Sequence, residues 1–117
     1  MPKMLIVDDE VKLCECLRAY FTLKGLTVST VYEGEKAIDR LLRETPDVIL
    51  LDLKLPDISG MEVLKRAREL CPQAKVIMVT ASDQPELREE AATYGAVGYI
   101  TKPFDLSDPT WSLVFAN

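Results

Sequence analysis

Five side chains in this sequence have types suited to metal and phosphoryl chemistry, and each stands where an apolar run ends. Asp8 and Asp9 follow Leu5-Ile6-Val7, and Asp52 follows the run "DVILL". Thr80 and then Ala81 follow Lys75 to Val79, while Lys102-Pro103 comes just after Val97 to Ile100. Three carboxylates gathered in one place repel, and without a bridge each raises the others' pKa. A hard divalent cation removes that conflict. Magnesium suits them, since it takes one or two carboxylates, keeps waters and leaves octahedral positions for phosphate oxygens. Lys102 offers a point charge matched to a phosphoryl group. The sequence contains no histidine. That excludes Ser-His-Asp and Cys-His nucleophiles, histidine metal sites and a phosphohistidine role. A carboxylate is then the natural nucleophile, and the set reads as a magnesium-assisted acyl-phosphate site.

Each residue alone has a plainer reading. An acidic pair after a strand often marks only a helix N-terminus, where negative charge is favourable. Asp52 alone could cap a loop, Thr80 could be an ordinary strand-end hydroxyl, and Lys102 a solvated surface lysine. It is their arrival at four separate strand ends that argues for a site.

The elements that would carry these residues alternate five times. Met4 to Val7 reads as a buried strand, Glu10 to Lys24 as a helix with Cys14, Leu17 and Phe21 on one face and Gly25 as its stop. Thr27 to Val31 is a more polar strand, expected near an edge; Glu35 to Glu44 is a helix with Ala37, Ile38, Leu41 and Leu42 on one side. Asp47 to Leu51 is the most apolar strand and is placed centrally. Ser59 and Glu62 have capping-box spacing for a third helix reaching about Leu70. Lys75 to Val79 is strand four, Ser82, Asp83 and Pro85 open a fourth helix ending near Tyr94-Gly95, and Val97 to Ile100 is strand five. This alternation predicts an α/β fold, a doubly wound parallel sheet with helices on both faces. In such folds chemistry gathers beyond the carboxyl ends of the strands.

Composition sets the frame. With 117 residues, 48% apolar and 28% charged, the chain is expected to be one domain, residues 1–117, with a single core and no second domain. No apolar run approaches the ~20 residues of a membrane span, and Met1-Pro2-Lys3-Met4 has no signal-peptide pattern, so the expected location is the cytoplasm with no membrane partner. A net charge of -5 without a basic stripe argues against direct nucleic-acid binding. Cys14, Cys16 and Cys71 lack redox or zinc spacing and are expected as buried or half-buried free thiols.

The motifs "LIVDDE", "LLDLKLPDISG", "VIMVTAS" and "GAVGYITKPF", in this order, resemble those of the receiver domains of bacterial two-component response regulators. The resemblance reaches nearly everything up to Phe104. It implies the flavodoxin-like strand order 2-1-3-4-5. It further implies Asp52 as phosphoacceptor, with magnesium (manganese as a substitute) held by Asp9 directly, Asp8 mainly through water, Asp52, and the backbone carbonyl of Lys54. Lys102, the Thr80 hydroxyl and the backbone N–H of Ala81 would contact the phosphoryl oxygens. Thr80 and Tyr99 would form the switch, Thr80 moving toward the phosphoryl group and Tyr99 turning into the vacated space. Lys102-Pro103 is expected to be cis. Lys54 and Ser82 flank the phosphoryl group in related proteins and influence its lifetime; a Lys54 side chain that shields the acyl phosphate or attracts a phosphodonor and one that merely faces solvent, contributing only its carbonyl, fit equally well.

The partners so implied are a sensor histidine kinase or histidine phosphotransferase and a downstream effector domain or protein, with a homodimer through helix four, strand five and helix five as a further option. The protein is expected to assist its own phosphorylation and dephosphorylation without being a turnover enzyme. The alternative is a non-phosphorylated pseudo-receiver acting as an interaction scaffold, which the retained Asp8, Asp9, Asp52, Thr80 and Lys102 argue against. A magnesium-dependent phosphatase with an aspartyl nucleophile would need an acid where Lys54 stands. A flavodoxin would need a Ser/Thr/Gly-rich loop after strand one. One stretch departs from the receiver pattern: "DLSDPTWSLVFAN" has room for only a short helix from Asp108-Pro109, which must rely on packing. Trp111, Leu113, Val114 and Phe115 are too apolar for a simple one-face repeat, as if they covered a partner, favoured dimerisation or marked a truncation.

Overall fold

The apolar runs fold as short parallel strands. The computed structural model describes residues 2–116. Its sheet comprises β1 (Lys3–Val7), β2 (Thr27–Val31), β3 (Val48–Leu51), β4 (Lys75–Thr80) and β5 (Gly98–Thr101), in the order β2-β1-β3-β4-β5. All four pairings are parallel, with Val7 opposite Val31 and Leu51, Leu51 opposite Met78, and Thr80 opposite Thr101. The carboxyl ends of the strands are therefore level, so the residues that follow β1, β3 and β5 emerge side by side. The fold is the flavodoxin-like arrangement, with the polar strand β2 at an edge and β3 central as the composition of each run predicts.

Side-chain alternation divides the core in two. Met4, Ile6, Val48, Leu50, Ile77, Val79 and Ile100 face α1 (Val11–Leu23), which buries Cys14, Leu17 and Phe21. Leu5, Val7, Ile49, Leu51, Val76 and Met78 face α2 (Gly34–Arg43), α3 (Gly60–Leu70) and α4 (Pro85–Thr93). The stop signals behave as their chemistry demands: Gly25 and Gly95 take φ of 97° and 99° after α1 and α4, a region that disfavours any side chain.

Several expectations need correction. Leu42 is 60% exposed, because the buried stripe of α2 runs through Gly34, Ala37 and Leu41 and residue 42 lies past its flank. Ser59 caps α3, its hydroxyl accepting from the N–H groups of Met61 and Glu62, but the Glu62 carboxylate lies 3.6 Å from Lys65. Cys14 and Cys71 are buried thiols, whereas Cys16 is exposed.

The terminal segment adopts a 3-10 helix, Pro109–Val114, in place of a longer α-helix. With three residues per turn, Trp111 and Val114 fall on one side and enter the core beside α1, while Phe115 stays half exposed. The missing one-face repeat was thus one of period three. The Asp108 carboxylate accepts from Thr110 N–H at 2.9 Å at the start of this helix. At its end the Lys75 ammonium donates to the carbonyls of Leu113 (2.9 Å), Val114 (3.3 Å) and Ala116. The Trp111 ring lies 5.6 Å from Phe21 and 5.1 Å from Phe104, and its indole N–H donates to the Asp105 carbonyl.

Candidate phosphoacceptor site

The parallel ladder continues one residue past two of the strands and fixes the two buried acids. Asp8 N–H donates to Val31 carbonyl at 3.2 Å, and Asp52 N–H to Val7 carbonyl at 3.0 Å. The two residues are 3% and 6% exposed at the carboxyl ends of their strands, and Thr80 beside them is fully buried. From β5, Lys102 N–H donates to the Thr80 carbonyl at 2.8 Å, and the Lys102-Pro103 bond is cis, as expected.

Lys102 makes the centre of the site. Its ammonium donates to Asp8 Oδ2 at 2.8 Å, Glu10 Oε1 at 2.8 Å and Asp52 Oδ2 at 3.0 Å. The remaining Asp oxygens are occupied too: Asp8 Oδ1 accepts from Glu10 N–H at 2.9 Å and Asp52 Oδ1 from Lys54 N–H at 3.1 Å. Burial alone would lower the lysine's pKa, but hydrogen bonds to Asp8, Glu10 and Asp52 outweigh it and hold the ammonium charged above its usual range. Asp8 goes the other way. Its burial outweighs Lys102 and the Glu10 amide, so its carboxyl sits above the ordinary carboxylate value. Cys14, whose thiol donates to the Asp8 carbonyl, is pushed up to about 12, first by burial and then by Asp8, and stays protonated at neutral pH.

Carboxylate oxygens of Asp8, Glu10 and Asp52 lie within 4.8 Å of one another. An all-oxygen, all-anionic donor set of this kind fits a hard divalent cation. Glu10 is the member the sequence reading missed. The signal was the third acid of "LIVDDE", passed over as the first residue of a helix; α1 in fact starts at Val11, leaving Glu10 at its N-cap with its side chain turned toward Lys102. Asp9 is not in the cluster. It is exposed and lines an adjoining groove of about 450 Å³ with Tyr32, Lys36 and Pro56.

The other expected residues surround the cluster. Thr80 Oγ1 accepts from Ser82 N–H at 3.3 Å, and Ala81 borders a groove with Glu10, Leu13, Lys102, Pro103 and Phe104. The Lys54 side chain is exposed while its amide touches Asp52. Tyr99 is already turned inward, 9% exposed, with its hydroxyl donating to the Ser82 carbonyl and the Arg88 guanidinium 4.7 Å from the ring centre.

Comparison with known proteins agrees with this geometry. Residues 4–110 match the response regulator receiver domain family. The chain belongs to that family. Among relatives of this receiver domain, sporulation initiation phosphotransferase F of Bacillus subtilis is 34% identical over 106 residues, 91% of this chain and 86% of that protein. The probable transcriptional regulatory protein TcrX of Mycobacterium tuberculosis is 38% identical over 105 residues, 90% of this chain but 45% of that protein. The receiver domain spans about half the length of most of the curated relatives it matches. A CheY-like receiver domain protein from Methanospirillum hungatei superposes with a TM-score of 0.92 at 29% identity, covering 98% of this chain and 92% of that one. The response regulator TrrA of Thermotoga maritima, solved with Mg(2+)-BeF, gives 0.85 at 29% identity and 98% coverage of both chains.

Proposed function

We propose that this receiver domain accepts a phosphoryl group on Asp52 and uses it to switch the surface around α4 and β5. The observation that carries the reading is the Lys102 ammonium, drawn from 50 residues away to within 3.0 Å of the Asp52 carboxylate beside fully buried Thr80. A cation fixed against the acceptor is placed to neutralise phosphoryl oxygens, and fixed charges of this kind are the main source of catalysis in phosphoryl transfer.

An Asp52 carboxylate oxygen attacks phosphorus as the donor's P–N or P–O bond breaks, giving an aspartyl phosphate; hydrolysis by water returns carboxylate and inorganic phosphate. Asp8 and Asp52, with Asp9, Glu10 and the Lys54 carbonyl nearby in sequence, would hold magnesium, which would supply charge neutralisation for phosphoryl transfer. Lys102 then exchanges a carboxylate partner for a phosphoryl oxygen, and the Thr80 hydroxyl, whose oxygen accepts from Ser82 N–H, donates to another. Membership of the receiver family supports a phosphohistidine of a kinase or phosphotransferase as the donor, and this chain, with no histidine, cannot supply one itself. The output passes to an effector domain or protein, and the protein is a switch without turnover of an external substrate. The face suited to a second copy would comprise α4, β5 and the short 3-10 helix rather than a full fifth helix.

Intact mass after incubation with acetyl phosphate, with and without magnesium, tests this. One phosphoryl group should be gained only with magnesium and lost in Asp52→Ala. A folded, magnesium-saturated protein that gains none, from acetyl phosphate or from a phosphohistidine donor, would sink the reading in favour of a scaffold.

A further inference from the structure

The start of α2 is capped from outside its own segment. Its N-cap residue, Glu33, makes no side-chain capping bond. Instead Asp57, an exposed residue 23 positions beyond Gly34, accepts from Gly34 N–H through Oδ1 and from Glu35 N–H through Oδ2, both at 2.8 Å. These amides belong to the first turn, which has no partners within the helix, and a carboxylate there is also favoured by the helix dipole. Beside this tie the Ile58 side chain packs onto the Gly34 backbone: a Cβ added at Gly34 would stand 2.4 Å from Ile58 Cγ1.

Asp57 lies in the loop that leaves the phosphoacceptor. That loop is pinned at its neck by Gly60 N–H donating to the Leu53 carbonyl at 2.8 Å, and near Asp52 by the Lys54 amide. Between these points residues 55–58 make no backbone–backbone hydrogen bond with any described residue. The two bonds to Asp57 are the polar ties that, with Leu55 and Ile58 packed against the core, fasten the far side of the loop to the rest of the protein.

We propose that Asp57 is a positioning residue for divalent-cation binding: by clamping residues 53–59 onto α2, it holds the Lys54 backbone in one conformation next to the acid cluster. The inference rests on the reading of that cluster as a magnesium-dependent phosphoacceptor site. A helix cap alone would influence stability; a positioning role must also change metal affinity.

The test is calorimetric titration of the metal-free protein with Mg²⁺ for parent, Asp57→Ala and Asp57→Asn, with amide NMR and hydrogen exchange on the same samples. In Asp57→Ala the Gly34 and Glu35 amides should shift, exchange over 54–58 should quicken, and the Mg²⁺ Kd should rise about 10-fold, the usual cost of losing a group that orients a metal ligand. Excess Mg²⁺ should then restore most of the acetyl phosphate labelling rate. Asp57→Asn, which keeps one acceptor and sets a donor against the second amide, should lie between, and it carries the test if the alanine variant unfolds. A Kd within twofold of the parent while the two amides report a broken clamp would overturn the inference and leave Asp57 a helix cap. A parent that binds no Mg²⁺ is a separate result, which removes the phosphoacceptor reading and this inference together.

Discussion

Asp8 and Lys102 share one hydrogen bond, and both are raised by folding, so both lose stabilisation as pH rises, in windows far apart. Lys102 is held charged above its ordinary 10.5, so its stabilisation is complete below that value and is lost as pH rises through its folded pKa. Asp8 is raised above 3.8, so folding disfavours its charge; its contribution is best below 3.8 and declines as pH rises through its folded pKa. Asp8→Asn keeps an oxygen for the Glu10 amide and removes the buried charge. It should therefore raise the thermal midpoint of the metal-free protein near pH 7, with the gain vanishing below pH 3.8. It should also weaken stabilisation by Mg²⁺, which for the parent reaches about 2.7 kcal/mol at 100 times Kd. Thermal scans across pH, with and without Mg²⁺, check both signs; a variant less stable than the parent at neutral pH would contradict the first.

Elements deliver these residues through a few close contacts, and these were the least legible part of the sequence. Continuous apolar runs announced β1, β3 and β4, and their last residues pointed to Asp8, Asp52 and Thr80. Strand order and the cis Lys102-Pro103 bond came from family likeness. Glu10 was hidden because helical spacing says where a side chain starts, not that an N-cap residue can fold back over the preceding strand. The 3-10 helix was hidden because Trp111 and Val114, three apart, share a face in an α-helix as well, so their spacing does not tell the two helices apart. Gly60 shows how tight the loop is: an added Cβ would lie 2.0 Å from the Asp52 carbonyl oxygen and 2.7 Å from Leu53 Cα, both backbone. Gly60→Ala should cost about 1–3 kcal/mol, the usual range for overpacking, and should slow labelling of Asp52 even in the fraction that remains folded. Urea denaturation and intact mass measure the two effects; equal labelling rates would show that the neck does not govern the acceptor.

On the scale of the whole molecule, α1 and the terminal 3-10 helix cover one face of the sheet while α2, α3 and α4 cover the other. No helix among the described residues is long and apolar enough to cross a membrane. Trp111 is the largest side chain the terminal segment contributes to the first face, 4% exposed between Phe21 and Phe104. Trp111→Ala should cost about 3–5 kcal/mol, as aromatic truncations in cores do, read by circular dichroism in urea. A loss below about 1 kcal/mol would mean that the terminal segment adds little to the fold, since surface changes stay within roughly ±0.5 kcal/mol.

The ion pair that closes the site joins residues 94 positions apart, Asp8 and Lys102. A chain made on the ribosome emerges from its N-terminus at roughly 5–20 residues per second, so several seconds separate the synthesis of the acid from that of its counter-charge. Asp8 and Glu10 wait throughout that interval, and Asp52 through its second half, without Lys102 to meet them. Any half-made chain that collapses early must leave those carboxylates in water, and the site can be completed only when β5, an edge strand, is added last.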